Sequence, residues 1–258
     1  FYANITAVEP VMAAFDKATG IDGQYTRIAS SKFIPTILTE AGAGKLLADV
    51  VQSPLPMVEL LEQNKVLAAY QSPSAEGYPD WATENAHYTQ FGIEYVSYLY
   101  NTDKVDAADV PEDYTGLADP KWRGQIVMAD PATHASTIAW LVALKEQWFE
   151  SEDAWLDFVK ALAANKPMFV ASFGPTPAPV ESGEKLIAIS MPKYIVTLAP
   201  APLDWARVSE PMLGTPRGIA LAAGAPAPNA GKLFIDYWLG AEASSILAED
   251  VGEYVLAP

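Results

Sequence analysis

The chain has 258 residues, half of them hydrophobic and 19% charged, which is enough to bury one or two cores, and it has no cysteine, which removes thiol catalysis, Cys-based zinc sites and iron–sulfur clusters. Sixteen Lys and Arg against 32 Asp and Glu give a formal charge of −16, a field that repels nucleic acid and anionic membrane surfaces. No run of about 18 apolar residues is present to span a bilayer as a helix.

Phe1-Tyr2-Ala3-Asn4 reads as the inside of a strand, so a native N-terminus and a signal peptide already removed are expected before it. Val8, Val11, Met12 and Phe15 recur at helical spacing, with Glu9 and Pro10 suited to a first turn and Gly20 to a stop. A strand follows at 24–28, then a helix carrying Phe33, Ile34, Ile37 and Leu38 that Gly42 and Gly44 end, then a buried strand at 47–51. Repeated β–α–β of this kind predicts an open, largely parallel sheet, in which ligands sit beyond the carboxyl ends of the strands.

The alternation from Ile93 to Tyr100 makes a long strand with apolar groups on both faces. A Pro- and Asp-rich connection, 103–120, leads to a second series: strand 125–129, helix 136–147, helix 154–164, strand 167–170 and strand 186–189. A second long strand-like run, 218–222, precedes Asn229, which suits a cap for a helix carrying Leu233, Phe234, Tyr237 and Trp238. The order predicts an α/β protein of two lobes joined by two crossing strands, with residues 1–95 and 213–242 in lobe 1, residues 96–212 and 243–258 in lobe 2, and a ligand cleft between them.

Four segments resemble one known family, in register along nearly the whole chain. They are Phe15-Asp16-Lys17-Ala18-Thr19-Gly20-Ile21; Ala48-Asp49-Val50-Val51; Tyr100-Asn101-Thr102 followed by Leu117-Ala118-Asp119-Pro120-Lys121-Trp122-Arg123-Gly124; and the stretch from Gly224-Ala225-Pro226 through Asn229 to Leu239. They are similar to extracellular solute-binding proteins of the ferric-iron, polyamine and phosphonate importer type, with the class II periplasmic-binding-protein fold. The resemblance implies a Venus-flytrap clamp, a monomer in the periplasm or anchored to the surface, that captures a small molecule and delivers it to an ABC permease. No cofactor, catalytic residue or resident metal is expected.

The same resemblance nominates ligand contacts. Ser30 and Ser31 match the family's small loop at a helix N-terminus, where hydroxyl and backbone N–H groups favour an anion, although capping explains either serine. Asn4 at the end of the opening strand, and Gln52 and Ser53 after Val50-Val51, lie where the family lines its cleft. In the second lobe His134 and Ser136 open a helix after a strand, and Ser172 and Phe173 occupy the place of a serine-rich loop. Solvation of His134 and loop packing of Phe173 are the plain alternatives. Ser190-Met191-Pro192-Lys193-Tyr194 aligns with the segment where ferric-binding members present two adjacent tyrosines, and Lys193 in place of the first argues against Fe(III). Lys193 and Arg217 then become candidate partners for a small carboxylate, phosphate or phosphonate, with a surface salt bridge as the alternative for Arg217. Tyr2, Tyr194, Trp205 and Glu210 can be offered for a polyamine, against which Lys193 again argues.

Other function classes remain open on this fold. An enzyme needs a nucleophile or acid–base constellation, and only His87 and His134 are available with no G-x-S-x-G or H-x-x-x-H pattern. A regulator's ligand-sensing domain needs an attached DNA-binding or signalling module, which these residues do not encode.

Overall fold

Val8, Val11, Met12 and Phe15 recur at the helical period and are all buried, so the stripe they form is the inner face of the first helix. In the computed structural model, residues 1–209 and 212–258 are described. Two units result: Phe1–Glu94 with Thr215–Pro258, and Tyr95–Gly214.

The first unit runs β1 (Tyr2–Ala3), α1 (Glu9–Thr19), β2 (Thr26–Arg27), α2 (Ser30–Gly42), β3 (Val50–Pro54), α3 (Leu55–Gln63), β4 (Leu67–Ala68), α4 (Asp80–Thr83) and the start of β5 (Thr89–Asn101). Gly20 ends α1 with φ +74°, its N–H bonded to the Asp16 carbonyl at 2.8 Å, a left-handed cap that glycine adopts at least cost. After β5 the chain enters the second unit: β6 (Ile126–Ala129), α5 (Ala135–Gln147), α6 (Glu152–Ala164), β7 (Met168–Val170), α7 (Pro177–Glu181), β8 (Ile187–Ser190), α8 (Tyr194–Thr197) and β9 (Leu203–Trp205). It returns along β10 (Leu213–Ala222) and closes with α9 (Pro228–Leu239), α10 (Ala241–Glu249) and β11 (Tyr254–Val255) in the first unit.

In the first unit β1 lies between β2 and β3, parallel to both, with Tyr2 opposite Thr26 and Val51. The returning β10 is antiparallel to β3, Arg217 opposite Pro54 and Leu221 opposite Val50. In the second unit β6 is parallel to β7 and β8, and β8 is antiparallel to β5, Ser97 opposite Ser190. Both units therefore hold three adjacent parallel strands whose carboxyl ends feed loops and helix starts, the arrangement the β–α–β pattern predicts.

An aromatic nest closes the first core: Phe234 packs on Phe1 at 4.8 Å and Phe15 at 5.1 Å, and Trp238 on Phe91 at 5.4 Å. Tyr114 and Trp140, 5.7 Å apart, centre the second core. The Tyr114 hydroxyl donates to the Val96 carbonyl and accepts from the Leu213 N–H, both at 3.3 Å, tying β5 to β10 within that unit. Each such fully buried side chain contributes about 1.5–3 kcal/mol.

Three expectations need correction. Residues 243–258, assigned by sequence to lobe 2, fold with the first unit: Ala243, Leu247 and Val251 enter the core of Phe15, Phe91 and Trp238, and Tyr254 pairs with Ile93. Gly92 permits that pairing, because a Cβ there would stand 2.6 Å from the Tyr254 carbonyl oxygen. The crossings fall at 94/95 and 214/215 rather than 95/96 and 212/213. Asn229 is not a cap but the second residue of α9, and Ala227 is the N-cap, without a side-chain bond, since Pro228 opens the helix with its preset φ.

Candidate functional site

In the first unit the residues nominated by sequence gather where β1, β2 and β3 end. Asn4 follows β1, its N–H donating to the Gln52 carbonyl at 3.0 Å, and its Nδ2 donates to the Ile28 carbonyl at 3.0 Å and to Ser30 Oγ at 3.2 Å. Ser30 is the first residue of α2 and Ser31 the second; the N-cap is Ala29, which supplies no side-chain bond. Capping is therefore not what the serines do, and the first turn of α2 keeps N–H groups for another acceptor. Ser30 is buried and Ser31 exposed. Gln52 and Ser53 lie within β3, wholly buried, rather than in the loop expected after it, and the Ser53 hydroxyl bonds Met57 Sδ at 3.1 Å. Asn4, Ser30 and Gln52 thus form one bonded group, while Ser53 serves the packing of α3.

The second unit repeats the logic on other strands. His134 and Ser136 follow β6, Ser172 and Phe173 follow β7, and Lys193 and Tyr194 follow β8, three neighbouring parallel strands. All six are buried. The His134 ring meets Phe173 edge-on at 4.5 Å, and its Nδ1 shares a hydrogen bond of 2.9 Å with Thr137 Oγ1. A solvated loop histidine is not what the fold builds. Ser136 stands in the first turn of α5, 1% exposed, and its hydroxyl has no partner among the described residues. The Lys193 ammonium lies 5.8 Å from the Tyr194 ring, at the face-on distance of a cation–π contact.

Sequence reasoning missed the hydroxyls that set this loop geometry. Thr176 Oγ1 donates to the Phe173 carbonyl at 2.7 Å, which leaves Ser190 Oγ to donate to it at 2.6 Å, linking the loop after β7 to the end of β8. Thr137 and Ser190 fall inside segments already singled out; Thr176 carried no local signal.

Arg217 is not placed as expected. It lies inside β10, 2% exposed, with Nη2 at 2.5 Å and Nε at 3.1 Å from Glu94 Oε2, and Nη1 3.7 Å from Glu253 Oε1. Its fork faces two buried carboxylates of its own unit, neither of which the sequence placed nearby, so a surface salt bridge does not describe it. Of the residues offered for a polyamine, Tyr2 donates to both Glu40 oxygens at 3.0 Å, and Trp205 carries Arg207 at 4.9 Å from its ring. Glu210 lies outside the described residues.

Paired sets of polar residues at the carboxyl ends of parallel strands, on two α/β units crossed by two strands, define a periplasmic-binding-protein fold. The chain belongs to the family of bacterial extracellular solute-binding proteins, whose profile matches residues 11–255. Over 243 residues, 92% of this chain and 70% of the relative, it is 26% identical to a protein of Salmonella typhimurium provisionally named a 2-aminoethylphosphonate-binding periplasmic protein. Among solved structures it resembles the periplasmic binding protein AfuA of Actinobacillus pleuropneumoniae with exogenous fructose 6-phosphate bound, at 21% identity and a TM-score of 0.87, covering 99% of this chain and 84% of that one. Iron-bound HitA of Pseudomonas aeruginosa is similar at 19% identity and a TM-score of 0.85, covering 99% and 85%. The chain is the solute-binding component of an ABC importer, acting in the periplasm or an equivalent extracytoplasmic space with a small solute and a membrane permease as partners.

Proposed function

We propose that the captured solute is a small anion, organic or phosphorus-containing, and that the protein binds it as a monomer without chemical turnover. The observation that carries this reading is the start of α5. There the buried Ser136 hydroxyl has no partner among the described residues, beside the unbonded N–H groups of a helix N-terminus. That end of a helix favours negative charge. Lys193, buried in the loop after the adjoining strand, adds a cation to the same end of the sheet. The Salmonella relative's provisional name and the sugar phosphate in the AfuA structure support a phosphorus anion. Iron in HitA belongs to the same fold, and Lys193 in the position of a ferric-binding tyrosine weighs against that cargo here.

A thermal-shift and calorimetric screen tests the reading with 2-aminoethylphosphonate, inorganic phosphate, fructose 6-phosphate, spermidine and Fe(III). At a hundredfold excess over Kd a binder stabilises by about 2.7 kcal/mol, roughly 5–11 °C for a chain of this size. A shift with an anion, and recovery of that anion unchanged, is the expected result. A shift with Fe(III) or spermidine alone would sink it.

A further inference from the structure

Gln52 lies in β3 with no exposed surface. Its Oε1 accepts the Ile5 backbone N–H at 3.1 Å, and that bond orients the amide, because turning the group over would set Nε2 against the N–H, donor facing donor. The Nε2 hydrogens must then find acceptors elsewhere, and among the described residues no protein atom accepts them. A buried donor left in this state is costly, and protein interiors rarely tolerate it without a water or ligand to fill it. Its neighbours at the same strand end do not share the defect: Asn4 Nδ2 has two acceptors and the Ser53 hydroxyl has one.

We infer that Gln52 Nε2 is a ligand donor, and that the Ile5 N–H, by fixing which way the amide faces, makes this end of the sheet select solutes that present a hydrogen-bond acceptor. An oxyanion or carbonyl oxygen satisfies the amide, whereas an ammonium or N–H group meets it donor to donor and leaves it unfilled. Discrimination of this kind penalises the wrong partner more than it rewards the right one. Because the orienting donor belongs to the backbone, no substitution at position 5 except proline removes it. The inference rests on the reading that solute is taken up at the strand ends, and it goes beyond that reading by assigning one group on the solute.

The experiment is calorimetric titration of wild type, Gln52→Met and Gln52→Glu with inorganic phosphate, methylphosphonate, glucose and putrescine, with melting curves of all three proteins. Gln52→Met keeps length and apolar packing but has no donor, and is expected to bind an anion about 10- to 100-fold more weakly while remaining folded. Gln52→Glu still accepts from Ile5 but turns an oxygen where the amide nitrogen was, so its loss is expected to be larger; if that variant fails to fold, Gln52→Met decides. Unchanged anion affinity in folded Gln52→Met overturns the donor assignment and leaves the anion reading standing. Binding of glucose alone, lost in Gln52→Met, keeps the assignment and overturns the anion reading. Binding of putrescine alone, undiminished in Gln52→Met, or of no probe at all, overturns both.

Discussion

Replacing Arg217 with methionine tests whether the two crossing strands are held by an ion pair or whether the guanidinium serves the solute. Arg217 and Glu94 side chains are each 3% exposed and Glu253 is 1% exposed, so the substitution strands two carboxylates beside an apolar side chain with little water to screen them. Breaking a buried pair in this way costs about 3–5 kcal/mol, most of it the desolvation of the charge left behind. For a chain of this size each kcal/mol lowers the melting temperature by roughly 2–4 °C, so the expected drop is about 6–20 °C. Adding Glu94→Gln and Glu253→Gln to Arg217→Met removes the orphaned charges and should recover a large part of that loss, a non-additivity expected of residues in one network. Thermal melting of wild type, Arg217→Met and the triple variant, with solute affinity measured on each, reads both quantities. The reasoning is refuted if Arg217→Met melts within about 2 °C of wild type while its solute affinity falls more than tenfold. In that case the guanidinium belongs to the solute.

Lys193→Ala is expected to weaken binding of an anion at least tenfold by calorimetry, the value of a charge-assisted hydrogen bond lost. Gly92→Ala sets a methyl group against the Tyr254 carbonyl oxygen, backbone against backbone, and should detach β11 at a cost of about 1–3 kcal/mol. Faster amide exchange at 254–256 with unchanged exchange in the second unit is the expected signature. Leu247→Ala, in the core of the first unit, should cost about 2–5 kcal/mol, with protection lost first in 1–94 and 215–258 rather than in 95–214. Burial, reinforced by hydrogen bonds to Glu40 and Asp236, pushes the Tyr2 and Tyr70 hydroxyls up to about 12. Both folded-state values lie above the unfolded value near 10, so this stability is complete below about pH 10 and is lost as pH rises towards 12. Phenolate absorbance followed against pH should show a late-titrating fraction that falls by two tyrosines in Tyr2→Phe with Tyr70→Phe, while the other tyrosines that burial raises, Tyr98 among them, still titrate late.

The alternation of helix and strand periods was sufficient to specify an α/β chain, its strand-end geometry and the two crossings to within two residues, since each depends on local patterns of apolar spacing and turn residues. The segment similarities added the family. Together with that resemblance, the same local patterns pointed to Asn4, Ser30, His134, Ser136, Phe173, Lys193 and Tyr194 beyond strand ends, because in a parallel sheet the residues following a strand are at that end by construction, whereas Gln52 lies inside β3 rather than after it. What no local pattern encodes is partnership across the chain. Glu94 and Glu253 claim Arg217 from 123 positions before it and from the C-terminal segment. β11 is two residues long, too short to signal a strand, and pairs only because Gly92 leaves room. Residues 243–258 consequently read as a return to lobe 2 after 213–242, and packing alone assigns them to the first unit. The direction of the Gln52 amide is of the same kind: composition supplies the side chain, but only the nearness of the Ile5 N–H, brought there by the β1–β3 pairing, decides that it is a donor.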